Sequence, residues 1–214
     1  MTTAPPSISP AGTAGGTAKK GPKSAKIVIA GGFGVGKTTL VGTLSEIPPL
    51  TTEAAMTTAS IGIDDSSKVS GKTTTTVAMD FGRITIDEEL ILYLFGTPGQ
   101  DRFGFMWDDL VVGALGAVVL VDLRRIDDCF PAIDFFESRN VPFTVAINRF
   151  ENEAQPNLAE VREALDLDDA HPIVMCDARY KESVKTVVLS LLELLIVEFK
   201  KKSVRASGGR RSFR

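Results

Sequence analysis

The stretch Gly31-Gly32-Phe33-Gly34-Val35-Gly36-Lys37-Thr38 carries the plainest chemistry in this chain, because its spacing fits G-x-x-x-x-G-K-[ST] without a gap. Glycines at such spacing let successive backbone N–H groups curl around phosphate oxygens. A helix opening at the end of the loop adds positive potential toward the same oxygens. Lys37 is placed to neutralise the β- and γ-phosphates of a nucleoside triphosphate, and the Thr38 hydroxyl to ligate Mg²⁺, with Thr39 next to them. A glycine-rich turn with a chance Lys-Thr is the bland alternative. The flanking pattern disfavours it: apolar Lys26-Ile27-Val28-Ile29-Ala30 precedes the loop and a helical pattern over Thr38–Glu46 follows.

Two further polar segments follow apolar runs. Asn148-Arg149-Phe150-Glu151 comes directly after Phe143–Ile147, and Cys176-Asp177-Ala178-Arg179 closes the run that starts at Ile173. A carboxylate at the first of these, Glu151, can accept two hydrogen bonds from the N1–H and N2–H₂ edge of guanine. Adenine has no such donor pair, so a buried carboxylate would go unpaired against it. Sites built on such bonds discriminate by ~10⁴ or more. Arg149 can stack over a base plane. Read alone, Asn148–Glu151 is equally compatible with a polar loop after a strand.

These chemistries need a scaffold. Besides Lys26–Ala30, apolar runs stand at Arg83–Ile86, Leu90–Phe95, Ala117–Val121, Phe143–Ile147 and Ile173–Cys176. The polar break Asp87-Glu88-Glu89 between the second and third reads as a hairpin turn. Continuous apolarity implies strands buried on both faces, as in a parallel sheet covered by helices. Helical patterns occupy Thr38–Glu46, Cys129–Ser138, Asn157–Leu165 and Lys181–Phe199. The expected fold is α/β: a doubly wound, mostly parallel, six-stranded P-loop NTPase sheet with helices on both faces.

Over residues 26–199 the sequence resembles the Ras-like small GTPase superfamily, which carries Asn-Lys-x-Asp where Asn148–Glu151 stands and Ser-Ala-Lys where Asp177–Arg179 stands. The resemblance implies that the Ala178 backbone N–H contacts guanine O6. Arg149 and Glu151 depart from the pattern, and the extra methylene of Glu151 alters its reach. More narrowly, Thr73–Arg83, Leu94–Gln100 and Phe130–Asp134 read like the actinobacterial conservon G-proteins, and the chain is also similar to MglA-like bacterial polarity GTPases. That likeness implies a GTP/GDP switch, accompanied by a roadblock-fold regulatory protein and a sensor-kinase-like protein.

By the same resemblance, Thr76 (with Thr75 next) would give its hydroxyl to Mg²⁺ from the first switch segment; the alternative is a β-prone run with no ligand role. The long polar stretch Ile47–Lys72 reads as an extended first switch. The second switch departs most clearly from Asp-x-x-Gly-Gln, since its order here is Gly96-Thr97-Pro98-Gly99-Gln100. Gly99 can still give its N–H to the γ-phosphate and Gln100 can still orient a water. Gly96 cannot support Mg²⁺ as the aspartate would, so either magnesium binds more weakly or another carboxylate substitutes, Asp80 being one candidate. Arg102 reads either as an arginine swinging toward the phosphates or as a partner-binding surface residue. Phe103, Phe105, Met106 and Trp107 read either as a nucleotide-gated partner surface or as packing onto the sheet.

Composition narrows the alternatives. The chain has 214 residues, a net charge of −3, 43% hydrophobic and 24% charged residues, ordinary for one globular domain with tails and unlike a bulk nucleic-acid binder. Residues 1–25 read as a disordered tail, 26–199 as the domain, and 200–214 as a flexible basic tail able to touch anionic lipid peripherally. Two distant cysteines and one histidine speak against zinc and for a reducing, cytoplasmic setting. His171 reads as structural or surface. The expected function is a GTPase switch with slow hydrolysis. The alternatives are a GTP/GDP-binding module with negligible turnover and an ATP-using P-loop enzyme.

Overall fold

A computed structural model describes residues 21–48, 50–55, 76–99, 104–150 and 155–208. The elements in chain order are β1 (Lys23–Ala30), α1 (Lys37–Leu44), β2 (Leu50–Ala55), β3 (Thr76–Thr85), β4 (Leu90–Gly96), α2 (Met106–Val111), β5 (Gly116–Val121), a 3₁₀ segment (Leu123–Cys129), α3 (Phe130–Ser138), β6 (Phe143–Asn148), α4 (Leu158–Ala164), β7 (Ile173–Cys176) and α5 (Lys181–Gly208). They form one sheet in the order β2-β3-β4-β1-β5-β6-β7. The pairings of β1 with β4 and β5, of β5 with β6 and of β6 with β7 are parallel; β2–β3 and β3–β4 are antiparallel.

All six expected strands are present, in a doubly wound, mostly parallel sheet. The strand pattern explains its two buried faces. Along β1, Ile27 and Ile29 join a core with Leu40, Val41, Leu94, Val184 and Leu191, on the side of α1 and α5. Val28 and Ala30 point the other way, into a core with Trp107, Ile133, Phe136, Phe143 and Val161. Alternation along a strand sends successive side chains to opposite faces, so an unbroken apolar run serves both.

The structure also corrects several boundaries. A seventh strand, β2, lies within the stretch Ile47–Lys72 read as loop, because antiparallel pairing with β3 stabilises backbone of modest hydrophobicity. β1 starts at Lys23, where Lys23 N donates to Glu89 O, rather than at Lys26. The last helix runs past Phe199 through the lysines to Gly208, so residues 200–208 are helical; lysine and arginine propagate helix well when nothing interrupts them. The 3₁₀ segment and α2 are additions. Trp107 of α2 packs edge-on to Phe135 with ring centroids 5.3 Å apart, whereas Phe105 is exposed, so this cluster divides between sheet packing and surface. The expectations for Thr75, Gln100, Arg102, Phe103, Glu151 and the segments 1–20 and 209–214 lie outside the described residues. Among the described residues no helix is long and apolar enough to cross a membrane.

Candidate functional site

The first parallel strand, β1, lies where the strand order reverses, and a crevice at the carboxyl ends of β1, β5, β6 and β7 is the expected place for a ligand in such a sheet. The loop Gly31–Gly36 leaves β1 there and enters α1. Gly36, the residue before α1, has φ 108°, a left-handed conformation that side chains resist, and a Cβ on it would stand 2.7 Å from Asn148 Nδ2. Val35 is buried beneath the loop, while Phe33 is exposed on its outside.

Lys37 begins α1 and turns back over the loop. Its Nζ donates to the carbonyls of Gly31 and Gly32, both at 2.7 Å. Burial lowers its pKa from 10.5 to about 8, opposed by the attraction of the Asp80 carboxylate. Thr38 Oγ1 donates to Asp80 Oδ2 at 2.7 Å. Asp80, on β3, is buried and sits opposite Gly96 of β4. Gly99 lies close above the loop: a Cβ on it would be 2.7 Å from Lys37 Nζ and 2.9 Å from Phe33 Cα. Lys37, Thr38 and Gly99 thus converge with the loop at one point.

The base-side segments converge at a second point. Asn148, at the end of β6, donates from Nδ2 to Val35 O at 2.8 Å, and its Oδ1 accepts from the Ala178 N–H at 3.0 Å. One buried side chain therefore joins Val35 of the phosphate loop, 113 positions before it, to Ala178 in the turn after β7, 30 positions after it. Thr43 on α1 adds a second tie, donating to Ala178 O at 2.7 Å. Around this floor opens a cavity of about 440 Å³, lined by Gly34, Gly36, Thr39, Arg124, Asn148, Arg149, Phe150, Asp177, Ala178 and Arg179. That volume lies in the range of small-molecule sites. Arg149 N donates to Cys176 O at 2.7 Å, fixing the strand end that carries it. Asp177 holds Arg179 in a two-pronged pair at 3.0 and 2.9 Å, which keeps the Asp177 carboxyl below its usual range. The Ala178 N–H is engaged with Asn148 in this arrangement rather than free for a ligand oxygen.

Thr76 stands on the β2–β3 ladder opposite Ala55, four residues before Asp80 on the same strand. His171 keeps away from the crevice: its ring stacks on Phe143 at 4.4 Å and its Nδ1 meets Asp168 Oδ1 at 2.7 Å.

Three residues at the crevice escaped the sequence reading: Asp122, Arg124 and Arg125. The buried Asp122 caps the 3₁₀ segment by accepting from Arg124 N at 3.0 Å and takes the Arg124 guanidinium at 2.8 and 2.7 Å. Those bonds hold its carboxyl below the usual range. The Arg124 guanidinium lies 3.8 Å over the Phe150 ring, forming one wall of the cavity. Arg125 Nη2 donates to Phe33 O at 2.8 Å, bracing the phosphate loop from outside. The available sign was a polar cluster at the carboxyl end of an apolar strand, where such sheets place ligand contacts.

Comparison with known proteins agrees with this layout. The family described as "conserved hypothetical ATP binding protein" matches residues 29–201. An uncharacterized protein of Methanocaldococcus jannaschii is 34% identical over 126 residues, which span 58% of this chain and 69% of that one. Among solved structures, the G domain of the T. maritima FeoB iron transporter aligns with a TM-score of 0.56 at 16% identity, covering 80% of this chain and 99% of that one. The FeoB G-domain from Methanococcus jannaschii aligns at 0.52 and 14% identity, over 81% and 98%. The cytosolic domain of T. maritima FeoB in a GDP form aligns at 0.58 and 15% identity, over 82% and 65%. At such identities these likenesses speak to the fold, which is that of a P-loop G domain.

Proposed function

The chain belongs to the family described as conserved hypothetical ATP binding protein, and on that premise we propose that it is a guanine-nucleotide switch of the small-GTPase kind with slow intrinsic hydrolysis. The observation that carries this reading is the convergence at Asn148. A guanine-type motif after β6, a second after β7 and the phosphate loop meet around one cavity of about 440 Å³. In this reading the base lies between the Arg124–Phe150 wall and Arg179, with Glu151 accepting from its N1–H and N2–H₂ edge. The family is described as ATP-binding, whereas one fold relative, the T. maritima FeoB cytosolic domain, is in a GDP form.

The residues present fit a divalent cation beside the phosphates, since a threonine hydroxyl and a buried carboxylate lie together at the start of α1. Thr38 would hold it, joined by Thr76 in the triphosphate state. Bound there, Mg²⁺ supplies neutralisation of phosphate charge. Lys37 leaves the Gly31 and Gly32 carbonyls for the phosphates, the Gly99 N–H meets the γ-phosphate, and Gln100 orients the water. An arginine finger is worth about 10³–10⁵ in rate, so unaided turnover is slow where Arg102 serves a partner surface instead; Arg125 donates to the Phe33 carbonyl. A roadblock-type regulator, a sensor-kinase-like protein and peripheral contact of the basic end with anionic lipid remain expectations of the resemblance.

The test is competition of GDP and ADP for the purified chain, with phosphate release followed under saturating GTP and Mg²⁺. GDP should compete at far lower concentration, and release should be slow. Preference for ADP would replace the guanine reading with an ATP-using one. Rapid unaided turnover would remove the slow-switch reading.

A further inference from the structure

We propose that Arg125 is a positioning residue of the phosphate site: it pins the Phe33–Gly34 peptide so that the Gly34 N–H faces the phosphates. The inference rests on the nucleotide reading above and deepens it on the phosphate side. Arg125 Nη2 donates to Phe33 O at 2.8 Å. No cis peptide occurs among the described residues, and the C=O and N–H of a trans peptide point in opposite directions. With its carbonyl held toward Arg125, this peptide turns the Gly34 N–H the other way. The other way is the crevice. Gly34 lines the cavity of about 440 Å³, whereas Arg125 stands against the outside of the loop in a narrow space shared with Gly32, Asp122 and Asp128. Gly34 takes this orientation at φ 73°, in the left-handed region that glycine tolerates. Lys37 holds the carbonyls of Gly31 and Gly32. Two cations thus hold three successive carbonyls, and a backbone so held offers its N–H groups to an anion. Lys37 leaves its carbonyls when phosphates enter; Arg125 is the cation that stays.

The surroundings of Arg125 fix where it points. Its backbone leaves helical geometry within the 3₁₀ segment, at φ −142° and ψ 56°. Arg124 turns toward Phe150 and the base side, whereas Arg125 turns toward the phosphate loop. Both guanidinium groups are anchored on the buried Asp122 carboxylate, at 2.7 and 3.7 Å. Asp128 meets Arg125 at 3.4 Å, and a Cβ on Gly32 would come within 2.6 Å of Asp128 Cβ. The 3₁₀ segment therefore lies directly on the loop backbone. Half-exposed ion pairs add little stability by themselves, so this arrangement acts through direction, keeping Nη2 on the Phe33 carbonyl. The base floor lies at Asn148, whose Nδ2 would stand 2.7 Å from a Cβ on Gly36. Gly34 is two residues further along the loop from that floor, so its N–H serves the second phosphate rather than the first.

The test is equilibrium competition on the full chain, with unlabelled GDP and GMP against a fluorescent GDP analogue, and ADP and AMP against a fluorescent ADP analogue. Arg125→Met keeps the stem and removes the donors. It should weaken GDP binding by about tenfold or more, the usual worth of a hydrogen bond to a charged group, and GMP binding by less than about threefold. Arg125→Lys, which keeps a donor on a similar stem, should recover most of the GDP loss. Equal losses for GDP and GMP would mean a loosened fold and would overturn the assignment. Unchanged GDP binding in Arg125→Met would overturn it too, as would a loss in Arg125→Lys as large as in Arg125→Met. Wild type that binds ADP in preference to GDP would remove the guanine reading alone, and ADP and AMP would then carry the same comparison. Wild type that binds neither diphosphate would overturn the nucleotide reading and this assignment together.

Discussion

Lys37 is 8% exposed and bonded to two carbonyls of its own loop. Burial brings its pKa from 10.5 down to about 8, the Asp80 carboxylate holding it from falling further. The unfolded chain keeps the ordinary lysine value. Between about pH 8 and pH 10.5 the unfolded chain therefore binds more protons than the fold, and the nucleotide-free protein should gain stability as pH rises through that window. Phosphate favours the charged ammonium, so nucleotide affinity should move oppositely. It should fall above about pH 8, by up to tenfold per pH unit. Thermal melts and GDP titrations across pH 7 to 10 check both slopes, and Lys37→Arg, which stays charged, should flatten the first. At this scale Gly31–Thr38 was fully legible, because contiguous residues define its chemistry. Asp80 was legible only as one carboxylate among several; its pairing with Thr38 and Gly96 depends on strand register.

The element scale brings α2 into view. Its short helix is held to the sheet by Trp107, which meets Phe135 edge-on at 5.3 Å and lies parallel to Phe136 at 6.5 Å. Among the described residues the buried indole Nε1–H has no hydrogen-bond partner. Trp107→Ala should cost about 3–5 kcal/mol through the cavity it leaves. Trp107→Phe should cost less than about 2 kcal/mol, since a phenyl ring keeps the ring contacts and removes an unpartnered donor. Denaturant unfolding followed by circular dichroism separates these; equal losses would mean that the N–H is satisfied in solution. Helices with a clear apolar stripe, such as α5, were legible from periodicity, though not their ends. β2 and the 3₁₀ segment were not, because a strand held by ladder pairing and a turn held by the Asp122 cap carry little hydrophobic pattern.

For the molecule as a whole, two cores on either side of one sheet make the fold cooperative. Each contains a cysteine: Cys176 on the α1–α5 side and Cys129 on the other. Burial pushes the Cys129 thiol up to about 12 and the Cys176 thiol up to about 11. Thiolate is the reactive form, so an alkylating probe near neutral pH should label neither in the folded chain. Labelling that waits on global unfolding should slow about a hundredfold at a GDP concentration 100 times its Kd, equivalent to about 2.7 kcal/mol. A rate indifferent to ligand would mean that the thiols open by local fraying instead. The same sheet explains how far sequence reading could go. Contiguous chemistry and apolar runs determined the phosphate loop, the six main strands and the doubly wound class, since these follow from local pattern and burial. The tertiary structure alone decided that Asn148 joins Val35 to Ala178, that Arg124 and Arg125 wall the crevice, and that Asp80 fills the space beside Gly96. Each depends on which strands become neighbours and in what register, and no single stretch of chain encodes that.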